Sequence, residues 1–99
     1  MTRGARNWRA DADALKLAGQ SYVNGKLVSA QTGATFGALN PATGKTLVDV
    51  ASCEAADVDI AVKSARKAFE SGVWSNRTPT ERKKVLQRFA ELMSAHADE

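Results

Sequence analysis

Asn24-Gly25, set between Tyr22-Val23 and Leu27-Val28, constrains its stretch of chain more tightly than any other pair in the sequence. The flanking pairs favour β structure. Asn and Gly both tolerate positive φ, which a type I′ turn requires at its two central positions. Residues 21–29 are therefore expected to form a hairpin, and Gln31-Thr32-Gly33 a loop after it. Residues 35–39 form a candidate short strand, weakened by Gly37. Asn40-Pro41-Ala42-Thr43-Gly44 is a turn, because Pro41 fixes its own φ and Gly44 frees the exit. Residues 46–51 follow as a strand with Leu47, Val48 and Val50. The first half is thus expected to be a small antiparallel meander.

A helix is expected before the hairpin over residues 7–18. Asn7 would be its N-cap, Trp8, Ala12 and Leu15 its apolar stripe, and Gly19 its stop. The second half reads as two further helices. Val58, Ala61, Val62, Ala65, Ala68 and Phe69 recur at spacings of three and four, one face of a helix over residues 55–71 that Gly72 ends. Thr78-Pro79-Thr80-Glu81 then combines an N-cap Thr, Pro at the first helical position and Glu at the third. Val85, Leu86, Phe89, Leu92 and Met93 supply the apolar face behind it. The sequence closes on Ala97-Asp98-Glu99, still helical in composition. A cut within this last helix is the expectation.

Composition qualifies how well these elements can cover one another. Of the 43 hydrophobic residues 18 are Ala and one is Cys, which leaves 24 large apolar side chains. Leu, Ile, Val and Phe together number 19, just below the roughly 20% at which compact folding becomes doubtful. The net charge of +3 is too low for a disordered chain. The elements are therefore expected to need another surface to pack on.

Arg3, Arg6 and Arg9, with Arg82-Lys83-Lys84, are too sparse for a nucleic-acid-binding face and read as solvated helix surface. No run approaches the ~20 apolar residues of a membrane span, nor the apolar core of a signal peptide. With a single cysteine there is no disulfide framework, and a reducing, cytoplasmic location is expected. Cys53 precedes a helix start and invites a nucleophile reading, but it has no base beside it in sequence. A small residue at a strand-to-helix turn is the plainer account. His96, the only histidine, reads as a surface helix residue. Trp74 and Phe69 are expected to anchor the turn between the two helices. Gly33, Gly37 and Gly44 do not form the G-x-G-x-x-G pattern of a phosphate loop.

Four blocks in order, YVNGKLVSA, TFGALNPATGK, DVDIAVKSARKAFESGVWS and TPTERKKVLQRFAELM, resemble the amino-terminal segment of the aldehyde dehydrogenase family. The resemblance covers residues 21–97. The helix at Asn7-Trp8 resembles the branch acting on amino-aldehydes from polyamine breakdown, such as γ-glutamyl-γ-aminobutyraldehyde. What this implies is an α+β fragment of a larger α/β fold. Residues 1–20 would be an N-terminal extension with a helix, and residues 21–99 the first part of the cofactor-binding domain.

The activity implied is oxidation of an aldehyde to a carboxylic acid by NAD or NADP. A cysteine thiolate attacks the aldehyde, hydride passes to the nicotinamide, and a glutamate activates the water that releases the acid. The family's motifs for these residues match nothing here, and the surroundings of Cys53 (VASCEAAD) do not resemble the catalytic cysteine's. No catalytic or cofactor-binding residue is therefore assigned, and this piece alone is expected to be inactive and to bind no cofactor. The backbone carbonyls of Ala38 and Leu39 match positions that contribute to a structural monovalent cation site in the family, with the other ligands elsewhere. The partner implied is the rest of the same enzyme, whose parent would be a homo-oligomer. The alternative is a non-enzymatic, stand-alone interaction module that docks on a related subunit.

Overall fold

The computed structural model describes residues 4–98. In chain order these form α1 (Trp8–Ala14), β1 (Ser21–Val23), β2 (Lys26–Val28), β3 (Thr35–Leu39), β4 (Thr46–Ala51), α2 (Ala55–Glu70) and α3 (Pro79–Ala95). The α+β composition matches the expectation. The four strands do not make one meander, however. They form two separate antiparallel ribbons, β1 with β2 and β3 with β4.

The hairpin turns where the Asn-Gly pair requires it. Asn24 has φ 51° and Gly25 φ 76°, both in the left-handed region. The register follows, with Tyr22 opposite Leu27. In the second ribbon Phe36 faces Val50 and Ala38 faces Val48, and a bulge between Ala38 and Leu39 then sets Leu39 against Thr46. The Asn40 turn closes this ribbon. The Asn40 N–H donates to the Lys45 carbonyl at 2.8 Å, and the Asn40 side-chain oxygen accepts from the Ala42 N–H at 2.9 Å.

α1 is shorter than expected. Asn7 does cap it, its side chain accepting from the Ala10 N–H at 3.1 Å, but the helix ends at Ala14 and Leu15 is already extended. A helix this short has little stability of its own, and α1 buries no residue. Gly19 therefore does not act as a helix stop. It lies against β4, where its carbonyl accepts from the Ala51 N–H at 2.7 Å. A Cβ at position 19 would fall on the Asp49 carbonyl oxygen, so only glycine permits this approach.

α2 and α3 start and stop largely where the sequence indicates. At the start of α2 the Glu54 N–H donates to the Asp57 carboxylate at 2.9 Å. Gly72, at φ 71°, turns the chain out of it. At α3 the Thr78 hydroxyl accepts from the Glu81 N–H at 3.2 Å, and the Glu81 carboxylate accepts from the Thr78 N–H at 2.8 Å. α3 closes at Ala95, with the His96 N–H on the Leu92 carbonyl at 3.0 Å. The helical composition of the last residues does not continue as helix over residues 96–98.

Side-chain packing is nearly absent. Ala30 is the one buried hydrophobic residue among those described, and neither long helix buries a side chain. The chain measures 47 × 47 × 17 Å. Its radius of gyration is 18.7 Å, against about 13 Å for a compact domain of 100 residues. The sequence is thus a thin layer of well-formed elements, with no core between them.

Candidate functional site

A groove lies between the β1–β2 hairpin and α2. Tyr22, Val28, Cys53, Asp57, Val58 and Ile60 help line this groove of about 250 Å³. Its walls are joined by polar contacts. Asp57, on the first turn of α2, accepts from the Gln31 N–H at 2.8 Å and from the Glu54 N–H at 2.9 Å. These two donors, that of Glu54 foremost, hold its carboxyl below the usual carboxylate range. Across the groove, the Ser21 hydroxyl and the Cys53 thiol are 3.1 Å apart.

This arrangement offers no nucleophile–base pair. Cys53 is exposed and its hydrogen-bond partner is a serine hydroxyl, which cannot take the thiol proton at neutral pH. His96 serves as the C-cap of α3. Cys53 itself follows the end of β4 and precedes the Glu54 cap of α2, at the strand-to-helix turn expected of it.

The other positions singled out by sequence separate. Phe69 is 68% exposed and anchors no turn. Its ring lies 5.7 Å from the Arg66 guanidinium. Trp74 instead stands beside Pro79, Arg82 and Leu86 at the start of α3. Ala38 and Leu39 flank the bulge of the second ribbon. Carbonyls there suit a hard cation, but two neighbouring carbonyls do not close a coordination sphere. Among the described residues no three His, Cys, Asp or Glu side chains gather into a metal site.

The dinucleotide fold sets a glycine-rich turn between a strand and a helix of a parallel βαβ unit, whereas both ribbons among the described residues are antiparallel. Gly33 and Gly44 sit in turns, and Gly37 lies within β3. No helix among the described residues is long and apolar enough to cross a membrane.

A further contact, without a local sequence signature, involves the amino-terminal arm. Arg6 reaches Asp11 and Asp98, each at 2.6 Å, and stacks 4.2 Å from the centre of the Trp8 ring. The Asp11 carboxylate first, then that of Asp98, raises the Arg6 pKa. The pairing of residues 92 positions apart depends on tertiary geometry, which local pattern does not carry.

Against known proteins, residues 27–99 match the model of the aldehyde dehydrogenase family. An aminoacetaldehyde dehydrogenase of Pseudomonas aeruginosa is 48% identical over 89 residues, which are 90% of this chain and 18% of that protein. The structure of a Pseudomonas syringae indole-3-acetaldehyde dehydrogenase in complex with NAD+ superposes with a TM-score of 0.84 at 43% identity, over 91% of this chain and 18% of that one. A γ-glutamyl-γ-aminobutyraldehyde dehydrogenase from Burkholderia cenocepacia gives the same TM-score at 42% identity, over 90% of this chain and 18% of that one. The chain therefore spans less than a fifth of the length of these relatives. With hairpin, turn and both long helices in the family's order, the chain belongs to the aldehyde dehydrogenase family.

Proposed function

We propose that these residues are the amino-terminal scaffold of an NAD(P)-dependent enzyme that oxidises an aldehyde to a carboxylic acid, and that they carry no chemistry alone. The observation behind this is the pairing of two facts. The family match runs through the hairpin's second strand, the second ribbon and both long helices, and the groove those elements form holds no nucleophile–base pair. NAD or NADP would bind elsewhere in the parent enzyme. Residues 1–20 form the leading extension, and residues 21–99 the first part of the cofactor domain. The carbonyls of Ala38 and Leu39 would be two ligands of a monovalent cation site completed by residues outside this chain.

Within the family, an amino-aldehyde substrate is the reading we favour. The aminoacetaldehyde and γ-glutamyl-γ-aminobutyraldehyde enzymes support it, and the similarly close indole-3-acetaldehyde enzyme keeps it a matter for assay. A homo-oligomeric parent working in the reducing cytoplasm, away from membrane and nucleic acid, completes the reading.

The test is a covalent chimera. Residues 21–99 replace the matching segment of the Pseudomonas syringae enzyme, and NADH formation with indole-3-acetaldehyde is followed at saturating NAD+. The expected result is a folded chimera with activity of the same order as the parent. A folded chimera that has lost NAD+ binding would refute the scaffold reading. The 99-residue chain alone should give no aldehyde-dependent NADH, and Cys53→Ala should change nothing.

A further inference from the structure

The amino-terminal arm, residues 4–18, is fastened at two places by contacts of different kinds. At its outer end the Arg6 Nε–H donates to the Asp11 carboxylate and an Nη1–H to that of Asp98, each at 2.6 Å. The same guanidinium lies 4.2 Å from the centre of the Trp8 ring. Asp98 follows Ala95 at the carboxyl end of α3, where the helix dipole favours a cation. At its inner end the Gly19 carbonyl accepts from the Ala51 N–H at 2.7 Å, and the missing Cβ lets the two backbones meet.

Apolar packing adds little between these points. α1 buries no residue, Trp8 is 68% exposed, and Leu15 leaves the helix in extended backbone. The two fastenings also answer differently to the solvent. The Arg6 and Asp98 side chains are 38% and 79% exposed, so dissolved salt screens their attraction. An exposed ion pair is weak in any case, worth about a two- to fivefold bias toward the paired state. The bond at Gly19 joins two uncharged backbone groups, which that screening leaves alone.

We propose that the arm is a hinged strap, closed on α3 by a salt-sensitive latch of Arg6 and Asp98, and still anchored at Gly19 when that latch opens. Opening swings α1 about residues 15–18 and bares the carboxyl end of α3 to solvent. The rival is an arm that leaves α3 and β4 in a single step. It is disfavoured because the two contacts lie at opposite ends of the arm, and the helix between them is unpacked.

The test places a nitroxide on Ser94→Cys, in the last turn of α3, in a Cys53→Ala background, and reads the paramagnetic broadening of the Trp8 indole proton by NMR. Broadening is expected at about 0.01 M NaCl, where the screening length is about 30 Å, and should weaken at about 1 M, where it is about 3 Å. The closed-to-open ratio that it reports should fall about two- to fivefold over that range. Asp98→Asn and Arg6→Gln should each lower the ratio by a similar factor at low salt and remove most of its salt dependence. Exchange of the Ala51 amide should stay within twofold throughout. Both substituted side chains lie at the surface, and the salt series on the unsubstituted pair needs neither variant to fold. Broadening indifferent to salt and to Asp98→Asn would overturn the latch. Ala51 exchange that accelerates in step with the loss of broadening would overturn the hinge, because the arm would then leave as a whole.

Discussion

The Gln31 N–H donates to the Asp57 carboxylate at 2.8 Å, joining the loop after the hairpin to the first turn of a helix 26 residues away. The same carboxylate accepts from Glu54 at the helix start. One ionised side chain thus ties the loop after the hairpin to the start of the helix, along one wall of the groove.

This contact should depend on pH in a defined direction. The two N–H donors hold the Asp57 carboxyl below its ordinary value, so its folded pKa lies below its unfolded one. The stability it adds is fully present above the ordinary carboxylate range and is lost as pH falls through the lowered folded value. Glu81, lowered by the Thr78 N–H and hydroxyl, acts in the same sense at α3. The Gln31 amide proton, followed by NMR, should titrate with a midpoint below that of an unstructured aspartate. A midpoint at or above that of the free side chain would contradict the clasp. Asp57→Ala should abolish the titration of that amide altogether.

Gly19→Ala tests the attachment of the leading arm. The added methyl would collide with the Asp49 carbonyl oxygen, and backbone cannot swing aside as a flexible side chain can. The arm is therefore expected to detach, with loss of the bond from the Ala51 N–H to the Gly19 carbonyl. Hydrogen exchange at Ala51 should accelerate at least tenfold. Exchange in the first ribbon, β1 with β2, should stay as it was. Unchanged protection at Ala51 would show that the arm does not depend on this approach.

The cap of α3 gives a stability prediction. Thr78→Ala removes the hydroxyl that accepts from the Glu81 N–H and costs about 1 kcal/mol. Thr78→Ser keeps that oxygen and should recover most of the loss. The readout is helical ellipticity at 222 nm against denaturant. Equal midpoints for the wild-type and alanine chains would mean that the cap contributes nothing.

These local features are the ones that sequence made legible. Asn24-Gly25, Gly72 and Thr78-Pro79-Thr80-Glu81 act through dihedral preference and hydrogen bonds a few residues long, so their outcomes follow from residue type. The length of α1, the role of Gly19 and the split into two ribbons depart from what local pattern predicts. Each depends on what the chain touches far away in sequence: Gly19 on β4, and α1 on packing that it does not find. The Arg6–Asp98 pair was invisible for the same reason. Of the candidate site, the place of Cys53 at a strand-to-helix turn was legible, but the Ser21 and Asp57 contacts that bound its groove carry no local signature.

The scarcity of large apolar side chains noted in the sequence becomes a prediction about the free chain. Phe89 and Val58 are exposed where a folded domain would bury them, and no packed core links one element to the next. Cooperative melting requires elements to lose their contacts together, and here the two ribbons and three helices share few. Heating should therefore give a broad transition, and an environment-sensitive apolar dye should bind before it begins. A sharp transition above about 65 °C for the chain by itself, beyond the usual range of small mesophilic domains, would show that the layer has cohesion which its exposed surface conceals.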